Sequence, residues 1–173
     1  TDKKLFNSSF SNSYQLYDTL RSQAKPKEGF FLKNNNFNIL SLSPESFIKV
    51  KNDIIETLPI KGTRPRSDNK LEDDLLKLEL KDSLKDKAEH LMIVDLLRND
   101  LGKICKTGSI QVDNLYAIHS FETIHHMVTK ITGKLKQKIS ESDIINALFP
   151  GGSITGAPKE SAMKIIDSLE PQA

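Results

Sequence analysis

Apolar side chains recur at steps of three and four residues in several stretches, the spacing that places them on one helix face. The longest such stretch covers residues 83–101. Polar residues mark two of the boundaries, since Ser140 with Asp143 resembles a capped helix start and Pro158 suits a first helical turn. The pattern therefore predicts helices over residues 12–24, 70–81, 83–101, 141–148 and 159–169.

Short runs rich in Val, Ile, Thr and Phe separate these helices and are typical of strands. The segment Pro59 to Arg66 contains Gly62 and two prolines, and it is predicted as a loop. Strands and helices occur in runs and do not alternate strictly, which indicates an α+β fold with an antiparallel sheet. The predicted strands lie near residues 30–33, 37–42, 46–50, 53–58, 110–118 and 122–132.

Composition narrows the possible classes of protein. The chain has 173 residues, 37% of them hydrophobic, which suffices for one globular core and predicts a single domain, 1–173. Its formal charge of +2 demands neither nucleic acid nor a membrane surface as a partner. Because Cys105 is the only cysteine and no apolar run has the length of a membrane span, we expect a cytoplasmic protein.

Two of the predicted loops carry groups that suit catalysis. Glu45 is either a solvated carboxylate or, in a partly dry site, a general acid. Lys61 is either an exposed lysine or a nucleophile, because a desolvated amine can lose its proton. Gly62 beside it lacks a Cβ, so a substrate can approach the backbone amides of Gly62 and Thr63.

A third loop, residues 149–159, combines three glycines with two small hydroxyl residues and leads into a predicted helix start, which favours anions. Lys159 at its end is either a carboxylate partner or a helix-surface lysine. The glycine spacing is not that of a P-loop.

Acidic and histidine residues raise the question of a metal. Asp86 and Glu89 are three apart on the long helix, so they share a face and could bind a hard cation, or they are simply solvated. Two ligands from one helix are too few, and others would have to come from elsewhere. His125 and His126 are adjacent on a predicted strand and point to opposite faces, so they cannot share a zinc ion.

Together these segments resemble the chorismate-binding domain shared by anthranilate, aminodeoxychorismate and isochorismate synthases. Within that family, Lys61 resembles the aminodeoxychorismate synthase branch, whereas anthranilate synthases have alanine there. Ser153 points to the same branch, because anthranilate synthases usually have threonine at that place. The matching stretches occur in the family's order: residues 43–47, 59–66 and 87–102, the strand with His126, and residues 151–159.

The resemblance implies amination of chorismate at C4, feeding 4-aminobenzoate and folate synthesis. Lys61 would attack C2 and form a covalent adduct, and Glu45 would protonate the leaving hydroxyl. A separate glutamine amidotransferase (glutaminase) subunit would supply the ammonia. Mg²⁺ would be held in part by Glu89, with Asp86 nearby. The residues expected to position the substrate are Gly62, Thr63, His126, Gly152, Ser153 and Lys159.

The same resemblance implies that the family continues beyond the last predicted helix, with further glutamates that bind metal. We therefore expect this chain to be a fragment lacking its C-terminal segment, with little or no turnover alone. Two alternatives remain open at this point. One is anthranilate synthase component I, with Lys61 as a local exception, and the other is a non-catalytic module that docks the glutaminase.

Overall fold

The structure is a computed structural model that describes residues 12–43 and 45–170. Pro44, which the sequence analysis placed in a loop, and the two chain ends lie outside the described residues. The chain divides into two compact units, Thr1–Ser46 and Phe47–Ala173. The single-domain interpretation stays a prediction, and each unit is described by itself.

The first unit contains a helix and a hairpin. Helix α1 is Ser13–Ala24, and strands β1 and β2 are Glu28–Lys33 and Asn38–Ser43. Asn12 caps α1 by accepting a hydrogen bond from the Gln15 backbone at 2.8 Å. The strands pair antiparallel, with Glu28 opposite Ser43. The predicted helix and hairpin are thus confirmed.

In the second unit, helices pack against a five-stranded antiparallel sheet whose strands differ in length. Its strands are β3 (Lys49–Lys51), β4 (Ile54–Thr57), β5 (Ile60–Pro65), β6 (Gln111–Ser120) and β7 (Ile124–Lys134). Its helices are α2 (Lys70–Asp82), α3 (Leu84–Ile104), α4 (Glu141–Leu148), α5 (Gly152–Thr155) and α6 (Lys159–Leu169).

Strand β7 is the centre of this sheet. It pairs antiparallel with β4, β5 and β6. Strands β4 and β6 both pair with residues 131 and 132, so they flank β7 on opposite sides. Strand β5 follows β4 along the chain and pairs with the other half of β7. The α+β prediction with an antiparallel sheet is confirmed.

Helix α3 supplies much of the hydrophobic core. Four of its buried side chains, at positions 93, 94, 97 and 101, recur at helical spacing and meet Ile55 and Ile131 of the sheet. Cys105 is buried in the same cluster. The periodicity predicted the helix correctly but its core face wrongly. Four of the five side chains that the sequence assigns to that face are exposed and one, Leu96, is half-buried; the five are Leu84, Ala88, Leu91, Met92 and Leu96.

Two local predictions were wrong. The segment predicted as a loop, residues 59–66, forms strand β5, because an irregularity in the pairing accommodates Gly62 and Pro65 lies at the strand end. The segment from Gly151 to Pro158 also contains the short helix α5, which the glycines concealed. The capping box at Ser140 and Asp143 is confirmed.

Candidate functional site

Lys61 lies at a β-bulge. Ile60 pairs with Val128 and Thr63 with His126, so three steps along β5 match two along β7 and one residue is extra. Bulges are frequent beside active sites because they redirect a side chain. Lys61 is half-buried, and its ammonium has no hydrogen bond or ion pair within the described chain. The bulge thus sets the direction in which the Lys61 side chain leaves the strand.

Thr63 and His126 form a pair next to this bulge. Thr63 Oγ1 and His126 Nδ1 lie 3.0 Å apart in a hydrogen bond, and the ring of Phe121 meets the imidazole edge-on. Burial lowers the pKa of His126 below its usual value, although a hydrogen bond with the Gly62 backbone opposes that shift. A neutral imidazole at neutral pH can donate or accept a hydrogen bond.

The two adjacent histidines have separate environments, as the strand geometry predicted. His125 Nε2 lies 3.0 Å from Asp73 Oδ1, and its Nδ1 lies 2.8 Å from Ser120 Oγ. Arg66 donates to both oxygens of Asp73 at 2.8 and 2.9 Å and holds the pKa of that carboxyl below its usual range. His125 is therefore part of a network that joins β6, β7 and Arg66, the residue after β5, to α2.

Asp86 and Glu89 differ in their surroundings. Asp86 Oδ2 accepts a hydrogen bond from Arg64 at 3.1 Å, and its side chain is mostly buried. Glu89 is about half exposed, and its nearest charged group is Lys85, at 4.0 Å.

Among the residues that the structure describes, no three His, Cys, Asp or Glu side chains are grouped as a metal shell. Glu89 has a carboxylate that fits one position around a hard cation. Asp86 could bind the cation only if its ion pair with Arg64 were broken. The described residues thus offer part of a magnesium site and not a complete one.

The predicted anion loop packs against the middle of α3. Gly152 is buried, and a Cβ there would lie 1.9 Å from Leu96 Cδ2. Ser153 is exposed on α5. Because an α-helix rises about 1.5 Å per residue, Leu96 and Asp86 are roughly 15 Å apart along α3. Glu89 lies between the Lys61 end and the Ser153 end of this helix.

Lys159 is tied to a buried carboxylate. Its Nζ donates to Asp100 Oδ2 at 2.9 Å and to the Leu148 carbonyl at 3.2 Å. Asp100 is 1% exposed and also accepts from Lys103 at 2.8 Å. Only one of the three ammonium donors of Lys159 remains for a ligand. A substrate contact by Lys159 stays a prediction.

Glu45 lies in the first unit. Its side chain is partly buried, and the Ser43 hydroxyl donates to its carbonyl at 2.8 Å and accepts from its backbone N–H at 3.2 Å. These bonds tie the Glu45 backbone to the Ser43 side chain. The general-acid role of Glu45 stays a prediction.

The sequence offers Arg64 and Arg66 either as groups that hold a carboxylate or as surface charges, and Asp100 only as one of the acids of the long helix. Asp100 lies seven residues after Ile93, within the apolar stripe of α3, and that position was a signal of its burial. Arg64 lies on β5 and Arg66 directly follows the strand, and both guanidinium groups bind acids of the neighbouring helices. No local pattern indicated which acids the arginines contact, because those acids come from other elements.

The chain is similar to known proteins in sequence and in fold. A family model described as chorismate binding enzyme matches residues 2–173. Aminodeoxychorismate synthase component 1 of Escherichia coli is 46% identical over 168 residues, covering 96% of this chain and 37% of that protein. Anthranilate synthase component 1 of Saccharolobus solfataricus is 44% identical over 156 residues, covering 90% and 37%.

A crystal structure of anthranilate synthase component I from Streptococcus pneumoniae superposes with a TM-score of 0.81 at 34% identity. It covers 93% of this chain and 35% of that one. The chain therefore spans about a third of the length of the relatives it matches. No described helix has both the length and the apolar character needed to cross a membrane. The protein belongs to the family of chorismate-binding enzymes.

Proposed function

We propose that the protein containing this chain aminates chorismate at C4 and gives 4-amino-4-deoxychorismate, with Lys61 as nucleophile. The observation that carries the proposal is the place of Lys61, half-buried at a bulge beside Gly62 and the Thr63–His126 pair. The similarity to aminodeoxychorismate synthase component 1 of Escherichia coli supports the choice of reaction.

The reaction balances in two displacements. The Lys61 amine forms a bond to C2 as the ring double bonds shift and the C4–O bond breaks, and Glu45 gives its proton to the departing hydroxyl, which leaves as water. Ammonia then attacks C4, the double bonds shift back, and the C2–N bond to Lys61 breaks. The proton that the ammonia nitrogen loses restores Glu45, so chorismate and ammonia yield product and water.

The remaining residues position the substrate in this proposal. The neutral imidazole of His126 and the Thr63 hydroxyl offer hydrogen bonds beside the amine. Gly62 leaves room for the ring, and Gly152, Ser153 and Lys159 would hold a carboxylate farther along α3. Mg²⁺, bound through Glu89, would neutralise substrate carboxylate charge. A glutaminase partner would supply ammonia in the cytoplasm.

The test is a product assay on the full-length protein with chorismate, Mg²⁺ and ammonia. A lyase converts aminodeoxychorismate to 4-aminobenzoate, whereas anthranilate is detected by its fluorescence. We expect 4-aminobenzoate from the wild type and none from Lys61→Ala. Lys85→Ala is the matched control, because Lys85 is 85% exposed on the neighbouring helix. Unchanged aminodeoxychorismate formation by Lys61→Ala would contradict the proposal that Lys61 is the covalent nucleophile.

Anthranilate synthesis is the second candidate. The relative from Saccharolobus solfataricus and the structure from Streptococcus pneumoniae, both anthranilate synthases, favour it. Fluorescent product from the wild-type protein would select this reaction. If neither 4-aminobenzoate nor anthranilate forms when the glutaminase is added, the result would instead favour a non-catalytic docking role.

A further inference from the structure

We propose that Asp86 is a positioning residue that, together with Arg64, fixes the Lys61–Gly62 bulge. The inference rests on the proposed role of Lys61 as nucleophile. In this proposal the Asp86 carboxylate binds Arg64 and so stabilises the backbone conformation of β5. It does not bind the magnesium ion that the sequence suggested.

The bulge touches the junction of α2 and α3 directly. Gly62 has a φ of 81°, in the left-handed region that favours glycine. A Cβ at Gly62 would lie 2.8 Å from Leu80 Cδ1, 3.1 Å from Asp86 Cβ and 3.2 Å from Asp86 Cγ. The Asp86 side chain thus forms the wall against which the bulge rests.

Arg64, which follows the bulge along β5, makes three hydrogen bonds around it. Its Nε donates to Glu79 Oε1 at 2.8 Å and its Nη2 to Asp86 Oδ2 at 3.1 Å. Its Nη1 donates to the Thr63 carbonyl at 2.9 Å. One guanidinium therefore connects both helices to the strand backbone at Thr63, the residue that follows Gly62. The planar fork of arginine suits such simultaneous contacts, and a lysine could not make them.

Asp86 is itself well placed by its helix. Ser83 caps α3 and accepts a hydrogen bond from the Asp86 backbone at 3.2 Å. A carboxylate in the first turn is favoured by the helix dipole. The side chains of Asp86 and Arg64 are 16% and 23% exposed, so solvent screens the pair only partly. The pair is therefore a stable contact between α3 and β5.

This arrangement has a consequence for Lys61. Its ammonium makes no hydrogen bond or ion pair within the described chain, so the position of the amine depends on the bulge and on the packing of the lysine stem. Neutralisation of Asp86 replaces its ion pair with Arg64 by a weaker hydrogen bond, so the bulge is held less firmly against α3. A displaced nucleophile reacts slowly, since a shift of about 1 Å can cost roughly a hundredfold in rate.

The experiment measures steady-state kinetics and Lys61 accessibility in full-length Asp86→Asn protein. We expect kcat to fall by about tenfold to a hundredfold with KM little changed, because the substrate contacts remain. Reductive methylation of Lys61, followed by peptide mass spectrometry, should become about tenfold faster as the bulge opens. Asp95→Asn is the matched control, because Asp95 pairs with Arg98 on the exposed side of α3.

Arg64→Gln provides a second variant. Arg64→Gln removes the contact with Asp86 together with those to Glu79 and Thr63, so adding Asp86→Asn to it should lower kcat no further than Arg64→Gln alone. Additive losses would overturn the inference. Restoration of Asp86→Asn activity by excess Mg²⁺ would also overturn it, since that result identifies Asp86 as a metal ligand.

The methylation rate separates this inference from the proposed function. An unchanged rate in Asp86→Asn contradicts the positioning role whatever reaction the protein performs. Full aminodeoxychorismate formation by Lys61→Ala contradicts the proposed function, and with it the kinetic part of the inference, while the methylation result still reports on the bulge.

Discussion

Two glycines show how a single neighbour decides what a position tolerates. Gly152 lies against α3, where a Cβ would be 1.9 Å from Leu96 Cδ2 and 2.9 Å from its Cγ. Gly102 lies within α3 itself, and nothing in the described structure is within 4 Å of the place that its Cβ would occupy. The same substitution at these positions should have opposite effects on stability.

Gly152→Ala is expected to lower the free energy of unfolding by about 1–3 kcal/mol, because Leu96 must move. Gly102→Ala is expected to raise it by roughly 0.5–1 kcal/mol, since alanine loses less conformational entropy in a helix. Urea denaturation of the full-length variants measures both. A stabilising Gly152→Ala would show that α5 does not pack on α3 as described.

His90 predicts a pH dependence of stability. It is fully buried, its Nε2 lies 2.6 Å from Thr129 Oγ1, and burial lowers its pKa to about 4. The unfolded chain takes up a proton below its ordinary pKa of about 6.5, which the native state takes up only near 4.

Stability from His90 is therefore complete above pH 6.5 and is lost as the pH falls towards 4. The total loss is up to about 3 kcal/mol. Denaturation midpoints measured between pH 7 and pH 4 should show a smaller fall in His90→Gln than in the wild type. Parallel curves would rule out His90 as the responsible group.

At the scale of elements, α3 connects the parts of the candidate site. Its first turn holds Asp86 against β5, and the next carries Glu89. Farther along, Leu96 contacts Gly152, and Asp100 binds Lys159 of α6. The core stripe of α3 runs beside these residues and includes Asp100. One helix therefore sets the spacing between the Lys61 bulge and the α5–α6 segment.

The pair between Asp100 and Lys159 should be important for this spacing. The two residues are 1% and 10% exposed, and removal of one partner from a buried ion pair typically costs about 3–5 kcal/mol. Asp100→Asn should approach that loss, whereas Asp95→Asn on the exposed face of α3 should cost about 0–1 kcal/mol.

Thermal or urea denaturation distinguishes these two variants. A double variant, Asp100→Asn with Lys159→Met, should lose less than the sum of its single variants, because the lysine is no longer left without its acid. Equal small losses at Asp100 and Asp95 would contradict the buried pair.

At the scale of the whole molecule, the exposed apolar surface matters most. Leu71, Leu75 and Leu78 follow one another at helical spacing on α2 and are 77%, 65% and 50% exposed. Apolar patches of this kind promote association in water. The 173-residue polypeptide should therefore self-associate at high concentration.

Size-exclusion chromatography across a concentration series tests this expectation. Leu75→Lys should shift the elution towards the monomer without loss of helical circular dichroism. Leu80→Lys, at a position of the same helix that is 0% exposed, should instead unfold the protein, since a buried unpaired charge is costly. A wild-type chain that stays monomeric at all concentrations would refute the expectation.

The sequence by itself determined the helices, most strands, the α+β class and the family, because helical and strand periodicities and the motif order are local properties of the chain. It also separated His125 from His126, since neighbouring strand residues point to opposite faces. Its errors lay where local signals conflict with pairing. Gly62 and the prolines indicated a loop, whereas pairing with β7 makes that segment a strand.

Tertiary structure alone decided which charges meet. Arg64, Asp86 and Glu79 come from one strand and two helices, and Lys159 reaches Asp100 across the packing of α6 on α3. These partners meet because the fold brings distant parts of the chain together, and the spacing of residues along the sequence does not indicate which of them will be close. For the same reason, the bulge at Lys61 emerged only from the register between β5 and β7, which depends on both strands at once.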